Sequence, residues 1–164
     1  MTAPWILRPI RKQDDPAIAA IIHEVMSEHG CDSAGFAIHD AEVAQMSEHY
    51  RGGEACYYVA ANSGIVQGGA GFARLQGTTS EQSVCELRKM YDRPVCRGLG
   101  LGRALLELLV DEMRLVGYRR CYLETSSRMD RAQSLYRQQG FEEQPNPEGE
   151  TGHHGCDKFF SRDL

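Results

Sequence analysis

The sequence predicts a single mixed α/β domain that spans residues 1–164. The composition, with 41% hydrophobic and 25% charged residues, is that of a globular protein with a packed core. Strand-like and helix-like patterns alternate along the chain, and neither a repeat nor a long linker interrupts them. Every apolar stretch is too short to cross a bilayer, so we expect no membrane partner.

The first half of the chain begins with a strand and a helix. Residues 5–8 have a strand pattern, which Pro9 ends or places at a sheet edge. Residues 14–16, Asp-Asp-Pro, supply a helix start, and apolar residues at helical spacing continue to about His29. The next segments are predicted as a loop over 30–38 and a short helix over 40–50. The two strands of a hairpin follow over 56–61 and 65–75.

The second half is expected to alternate strands and helices. A strand over 85–91 ends before Pro94, and a helix follows over 101–116, with its leucines on one stripe and Gly117 as its cap. The last predicted elements are a strand, a helix and an antiparallel pair: 121–125, 128–138, and Phe141 with 156–160.

Charge and cysteine content exclude several classes of protein. The net charge of −5 disfavours a nucleic-acid partner. Residues 88–103 nevertheless carry a local charge of +4, which indicates an anion site. The six cysteines have no CxxC pair, so no metal is expected and the thiols are predicted to be reduced. Because residues 1–10 lack a secretory signal pattern, we expect a cytoplasmic protein.

The most informative segment is 97–103, Arg-Gly-Leu-Gly-Leu-Gly-Arg, between a predicted strand and a predicted helix. Glycines let the backbone approach a ligand, and N–H groups at a helix start favour an anion such as a diphosphate. The segment lacks the Gly-Lys-Ser/Thr ending of a Walker A loop and the spacing of a dinucleotide fingerprint. An ordinary helix cap is the alternative interpretation.

With its neighbours, this segment resembles the GCN5-related N-acetyltransferase (GNAT) superfamily. Arg97-x-x-Gly100-x-Gly102 matches the Arg/Gln-x-x-Gly-x-Gly/Ala acetyl-CoA signature. Leu135-Tyr136 and Gly140-Phe141 match a second motif, and the resemblance covers about 84–141. It implies a GNAT fold, a central splayed, mostly antiparallel sheet flanked by about four helices.

The resemblance also implies an acetyl-CoA site in the gap of that sheet. Two features depart from the family. Asp92 stands where an apolar residue is usual, so its side chain is expected to point away from the cofactor or to cap the turn, and Met129 replaces a frequent Asn. The residues implied to bind pantetheine, the thioester carbonyl and the pyrophosphate are Met90, Tyr91, Asp92, Arg97, Gly98, Leu99, Gly100, Leu101, Gly102 and Arg103.

Two residues are assigned catalytic roles. Tyr136 is the candidate general acid for the departing thiolate, with a packed helix tyrosine as the structural alternative. Glu86 is the candidate base because some family members carry a glutamate eleven residues before the Arg of the signature. It lies four strand residues from Met90, about 13 Å at ~3.3 Å per residue, so it would act through water. A salt-bridged strand glutamate is its alternative.

The acceptor side is predicted from three segments. Residues 151–157, Thr-Gly-His-His-Gly-Cys-Asp, resemble a segment of bacterial small-molecule acetyltransferases of the superfamily. That resemblance implies that His153 or His154 lines the acceptor pocket, with an exposed hairpin as the alternative and a metal site disfavoured. Phe36 belongs to the 30–38 loop, which shapes the acceptor site in this fold. Arg74 is suggested to bind an acceptor carboxylate.

These features predict an acetyl-CoA-dependent N-acetyltransferase that acts on the primary amine of a small or amino-acid-like molecule. The alternatives are a protein or peptide N-acetyltransferase, a non-catalytic CoA-binding sensor and a nucleotide-binding regulator. Dimers are common in the superfamily, so a homodimer is left open.

Overall fold

Seven strands form one sheet in the computed structural model, which describes residues 4–164. The order across the sheet is β1-β2-β3-β4-β5-β7-β6. The bounds of the strands are β1 Ile6–Pro9, β2 Cys56–Asn62, β3 Ile65–Arg74, β4 Val84–Asp92, β5 Arg120–Thr125, β6 Glu142–Gln144 and β7 Lys158–Asp163.

Four helices cover the two faces of this sheet. Their bounds are α1 Asp15–Glu28, α2 Met46–His49, α3 Leu101–Val116 and α4 Asp130–Gln138. Helix α1 packs on one face together with the 36–50 segment, where Ile22, Val25 and Met46 are buried. Helices α3 and α4 pack on the other face, where Leu105, Leu109 and Tyr136 are buried. The expected mixed sheet flanked by four helices is confirmed.

The pairing of β4 with β5 divides the sheet. All other neighbours are antiparallel, whereas β4 and β5 run parallel. They pair only over Val84↔Arg120, Cys85↔Cys121 and Glu86↔Tyr122. Beyond Glu86 the two strands diverge, so residues 87–92 have no partner on that side. This divergence is the splay that the sequence predicts.

A bulge in β4 lies beside the opening. Gly69 pairs with Tyr91 and Gly71 pairs with Arg88. Between these two pairs β4 advances three residues while β3 advances two, so β4 carries one extra residue. Lys89 adopts φ +49°, a left-handed conformation that costs about 1 kcal/mol or more in a non-glycine residue. The Tyr57 hydroxyl donates a hydrogen bond of 2.7 Å to the Lys89 carbonyl and helps to hold the bulge.

The second helix is the main element that differs from the prediction. Residues 41–45 form a 3₁₀ turn, and only Met46–His49 are α-helical. Side chains of this segment bind distant groups: Glu42 contacts Lys89, and Ser47 donates two hydrogen bonds to the Asp15 carboxylate. These tertiary contacts override local helix propensity.

The last antiparallel pair is confirmed with shifted boundaries. Strand β6 starts after Phe141, and β7 starts at Lys158 rather than Cys156. The Cys156 amide closes a turn onto His153, and the Asp157 carboxylate accepts hydrogen bonds from Ser127. No helix of the described residues is both long and apolar enough to span a membrane.

Candidate active site

The divergence of β4 from β5 opens a cavity of about 450 Å³. Its walls come from the end of β4, the 96–103 turn, the end of α1 and helix α4. The predicted residues that line it are Met90, Tyr91, Asp92, Arg97, Gly98, Gly100, Leu101, Gly102, Arg103 and Tyr136. Of the predicted cofactor residues, Leu99 alone does not line it, and its side chain is exposed.

Free backbone N–H groups point from the start of α3 toward this cavity. Gly98 and Gly100 have φ +76° and +82°, which glycine adopts without strain. The Ala104 N–H is the first to bond back, to the Gly100 carbonyl at 3.0 Å. The N–H groups before it in the first turn of α3 therefore lack helix acceptors. Free N–H groups at the positive end of a 16-residue helix form an anion site that fits a diphosphate.

Two arginines and two carboxylates set the charge of this end of the cavity. Arg97 binds Glu28 of α1 through two hydrogen bonds, of 2.7 and 2.6 Å. Asp92 also lines this end of the cavity. Burial raises the pKa of Asp92, while the charges of Arg97 and Arg131 oppose that rise. The two guanidinium charges therefore balance the two carboxylates, Glu28 and Asp92, at this end of the cavity.

Tyr136 lies where this cavity meets a second one. The side chain is 6% exposed, and its ring lies 6.0 Å from the rings of both Phe141 and Phe160. Among the described residues none hydrogen-bonds its hydroxyl, which is not sealed from solvent. Burial raises the pKa of Tyr136 above that of an ordinary phenol, so the hydroxyl keeps its proton at neutral pH. It is therefore available as a donor to a group in either cavity.

The second cavity is small, about 40 Å³, and shares four residues with the first: Met90, Tyr91, Met129 and Tyr136. Its other walls are on the α1 face of the sheet and include Cys31, Phe36, Lys89 and Cys156. Burial raises the pKa of Cys156 to about 12, so this thiol is not a nucleophile at neutral pH.

A set of charged side chains, here called the acidic basin, adjoins the second cavity. We define it as Asp40, Glu42, Glu86, Arg88, Lys89, Glu124 and His153. Its centre is the Lys89 ammonium, which is 1% exposed and contacts Asp40 at 2.7 Å and also Glu42. Because Lys89 also lines the second cavity, the basin and the cavity share a wall.

His153 extends the basin toward β5. Its Nε2 lies 2.9 and 3.1 Å from the two carboxylate oxygens of Asp40. The hydrogen bond to Asp40 raises the pKa of His153, against the opposing effect of burial. Burial alone would raise the pKa of Asp40, but His153 and Lys89 together lower it.

Glu86 and Glu124 form the far side of the basin. One ligand atom from each of Glu86, Glu124 and His153 lies within 4.8 Å of the other two. Arg88 donates a hydrogen bond of 2.6 Å to Glu86, and the Thr151 hydroxyl donates one to Glu124. Burial raises the pKa of Glu124, an effect that the Thr151 hydrogen bond opposes.

Comparisons with known proteins agree with this geometry. The family model described as "Acetyltransferase (GNAT) family" matches residues 19–141. The chain is 37% identical over 160 residues to the uncharacterized N-acetyltransferase YjgM of Escherichia coli, covering 97% of this chain and 95% of that one. The chain belongs to the GNAT family of acetyltransferases. An acetyltransferase of Staphylococcus aureus Mu50 has the same fold, with a TM-score of 0.84, 18% identity and coverage of 98% and 99%.

A further structural neighbour of this GNAT chain is a putative acetyltransferase of Salmonella typhimurium, determined with its cofactor acetyl-CoA. The TM-score is 0.75 and the identity 24%, over 98% of this chain and 94% of that one. At that identity the likeness shows the fold, and the ligand is a property of the neighbour.

The structure brings most predicted acceptor residues of this GNAT chain together and leaves one out. Phe36 lines the second cavity and His153 belongs to the basin, and a Cβ placed on Gly35 would lie 2.6 Å from His154 Nε2. His154 itself is exposed. Arg74 is a correction: its strand neighbour Ala73 packs on the α1 face, so alternation directs Arg74 to the α3 face, away from the basin.

Several site residues of this GNAT chain escaped the sequence analysis. The missed residues reach the site from separate elements: His29 and Arg131 line the large cavity, and Asp40, Lys89 and Glu124 form the basin. The local excess of basic residues over 88–103 includes Lys89 but points to an anion, whereas Lys89 is neutralised by two carboxylates.

Proposed function

We propose that this GNAT acetyltransferase transfers the acetyl group of acetyl-CoA to the primary amine of a small-molecule acceptor. One observation carries the proposal: Tyr136 stands where the cavity with the free N–H groups of α3 meets the cavity bounded by Phe36 and Cys156. Two substrates that enter from opposite faces would meet beside this hydroxyl.

The cofactor would lie along the unpaired edge of β4. Backbone groups of 90–92 would bind the pantetheine amides, since this edge has no strand partner. The N–H groups at the start of α3, with Arg97 and Arg131 nearby, would bind the diphosphate. Helix α3 supports this site, because Leu101, Leu105 and Leu109 anchor it in the core.

The chemistry requires an oxyanion site, an acid and a base. As the amine nitrogen bonds to the carbonyl carbon, free N–H groups of β4 near Met90 would stabilise the oxyanion. The carbon–sulfur bond then breaks, and the Tyr136 hydroxyl would protonate the thiolate. The proton lost by the amine would leave through water, since Glu86, the candidate base, lies in the basin rather than beside Met90.

A small acceptor fits this site better than a protein segment. The second cavity is bounded by Phe36 of the 30–38 loop, and Gly155 packs against the Phe36 ring so closely that a Cβ there would lie 2.8 Å from it. The Gly155 N–H also donates a hydrogen bond to the Gly35 carbonyl at 3.0 Å. These contacts favour a small acceptor over an extended peptide.

The test measures acetyl-CoA consumption against amino acids, polyamines, aminoglycosides and short peptides, with calorimetric titration of CoA in parallel. We expect CoA to bind and a small amine to be acetylated. Binding of CoA without transfer to any amine would support a sensor instead. Transfer only to peptides would support the peptide acetyltransferase.

A further inference from the structure

We propose that the acceptor carries a second cationic group, a distal ammonium, which Glu86, Glu124 and His153 bind in the acidic basin. The acceptor class is then a diamine or polyamine rather than an anionic amino acid. This inference rests on the proposed function and specifies its substrate.

The first argument is charge. The basin holds the carboxylates of Asp40, Glu42, Glu86 and Glu124, but only Arg88 and Lys89 as permanent cations. Two negative charges remain, or one when His153 is protonated. A cationic ligand would compensate this excess, whereas a ligand carboxylate would increase the repulsion.

The second argument is an unsatisfied acceptor in a buried side chain. The side chain of Glu86 is 4% exposed, and one of its oxygens binds Arg88. Within residues 4–164 its other oxygen has no hydrogen-bond partner, and because no unpaired polar atom is sealed from solvent, it faces open space. An oxygen held in this way by a buried strand is a ready acceptor for a ligand N–H group.

The third argument is geometry. An alkylammonium group donates three hydrogen bonds in a tetrahedral arrangement. With bonds of about 2.9 Å, its three acceptors would lie roughly 4.7 Å apart. One oxygen each of Glu86 and Glu124 and a ring nitrogen of His153 all lie within 4.8 Å of one another, which is compatible with that spacing. The two carboxylates accept at any protonation state of the histidine, and His153 accepts the third bond while its ring is neutral.

The same three side chains resemble a divalent metal site, but their neighbours favour an organic cation. The Arg88 guanidinium lies 2.6 Å from Glu86, and the Lys89 ammonium is buried on the other side of Asp40. The fixed positive charges of Arg88 and Lys89, near the space between Glu86, Glu124 and His153, repel a divalent ion more strongly than a singly charged ammonium.

The basin also lies at a suitable distance from the proposed reaction centre. Glu86 is four residues before Met90 on β4, which corresponds to at most about 13 Å. Lys89 lines the second cavity and contacts Asp40 of the basin, so an acceptor bound at Tyr136 would have to extend along this wall to reach Glu86 and Glu124. A long diamine spans that distance better than a short one.

The experiment compares three acceptors of one length: 1,8-diaminooctane, octylamine and 8-aminooctanoate. We expect kcat/KM for the diamine to exceed that for octylamine at least tenfold and the aminocarboxylate to be the poorest acceptor. In Glu124→Gln the preference for diamine over octylamine should fall below threefold. The matched control is Glu142→Gln, an exposed glutamate on β6, which should keep the full preference.

Other outcomes separate the two proposals. Equal acetylation of octylamine and the diamine would overturn this inference and leave the proposed function intact. No acetylation of any amine would overturn the proposed function itself. Calorimetric binding of Zn²⁺ or Mn²⁺ that is lost in Glu124→Gln, without any diamine preference, would overturn the inference in favour of a metal site.

Discussion

At the scale of single residues, Tyr136 depends on its surroundings for its proposed role. The aromatic rings of Phe141 and Phe160 fix the tyrosine ring, and the hydroxyl is left without a partner among the described residues. Burial raises its pKa, so the oxygen carries a proton at neutral pH. A surface tyrosine would lack this fixed orientation.

We predict that Tyr136→Phe lowers kcat for thiol release by about 10²-fold or more, the range of a lost general acid. The CoA dissociation constant should change less than about twofold, since the ring and its packing remain. The control is Tyr118→Phe, which removes a hydroxyl bonded to the Glu54 carbonyl away from both cavities. An unchanged kcat in Tyr136→Phe would refute the role.

Sequence motifs predict those site residues whose backbone conformation, rather than side chain, matters. Gly98 and Gly100 were identifiable because a helix start with left-handed turns requires glycine. The basin was not, because Asp40 and His153 are 113 positions apart and meet only through the fold. Arg74 lies on the face of the sheet opposite to the one that the sequence predicted. Alternation along β3 determines the face of each side chain, but the sequence of a strand does not show which of its two faces is covered by α1 and which by α3.

At the scale of elements, both ends of α3 require a left-handed backbone conformation that glycine supplies. Gly100 is the N-cap with φ +82°, and no atom outside its chain neighbours would lie within 4 Å of an added Cβ. Gly117 caps the other end of the same helix with φ +105° and is equally open. Both positions therefore require a positive φ, and they lie at opposite ends of one helix.

We predict that Gly100→Ala and Gly117→Ala each lower the free energy of unfolding by about 1–2 kcal/mol, measured by urea denaturation. Only Gly100→Ala should also weaken CoA binding, because it disturbs the N–H groups at the helix start. Equal CoA affinity in both variants would place the diphosphate elsewhere.

A second element-scale prediction concerns β1 and α1. Arg8 binds Asp14 through hydrogen bonds of 2.7 and 2.9 Å, and the Arg11 amide donates another. The Arg8 hydrogen bond is the main cause that lowers the pKa of Asp14. The stabilisation of the fold by the Arg8–Asp14 pair is therefore complete above the ordinary Asp pKa of about 4. It is lost as the pH falls through the lower pKa that Asp14 has in the folded protein.

Asp14→Asn should accordingly cost about 1–3 kcal/mol of unfolding free energy at pH 7. The difference from the parent protein should shrink as the pH falls below about 4. The exposed Asp111→Asn is the control and should change stability by less than about 0.5 kcal/mol. A constant difference across this pH range would contradict the assignment to charge.

The periodicity of apolar residues predicts whether a segment is a helix or a strand more reliably than it predicts where that element begins and ends. Helix α3 was predictable because its buried residues recur every three or four positions. The 40–50 segment has a comparable pattern, but Lys89 and Asp15 bind its side chains and its helix is reduced to one turn. Such long-range contacts leave no local pattern.

At the scale of the whole molecule, the sheet consists of two parts joined by three residue pairs of β4 and β5. The core beneath, from Phe72 and Leu87 to Leu123 and Phe160, continues across the junction. A ligand in the opening would contact both parts and add to their cohesion. Binding of CoA should therefore stabilise the entire fold.

We predict that CoA at one hundred times its dissociation constant adds about 2.7 kcal/mol of stability and raises Tm by roughly 5–10 °C. ADP at the same concentration carries the diphosphate without the pantetheine arm and should give a smaller shift. A larger shift with ADP would indicate a nucleotide-binding regulator.

The open stretch of β4 has a consequence for handling the protein. Strand edges without partners normally lie at the margins of a sheet, where charges or bulges discourage association with other chains. Here residues 87–92 present such an edge in the interior of the sheet, beside the left-handed bulge at Lys89. The amide-rich arm of the coenzyme would act as a surrogate strand, so concentrated stocks should resist aggregation best when stored with it.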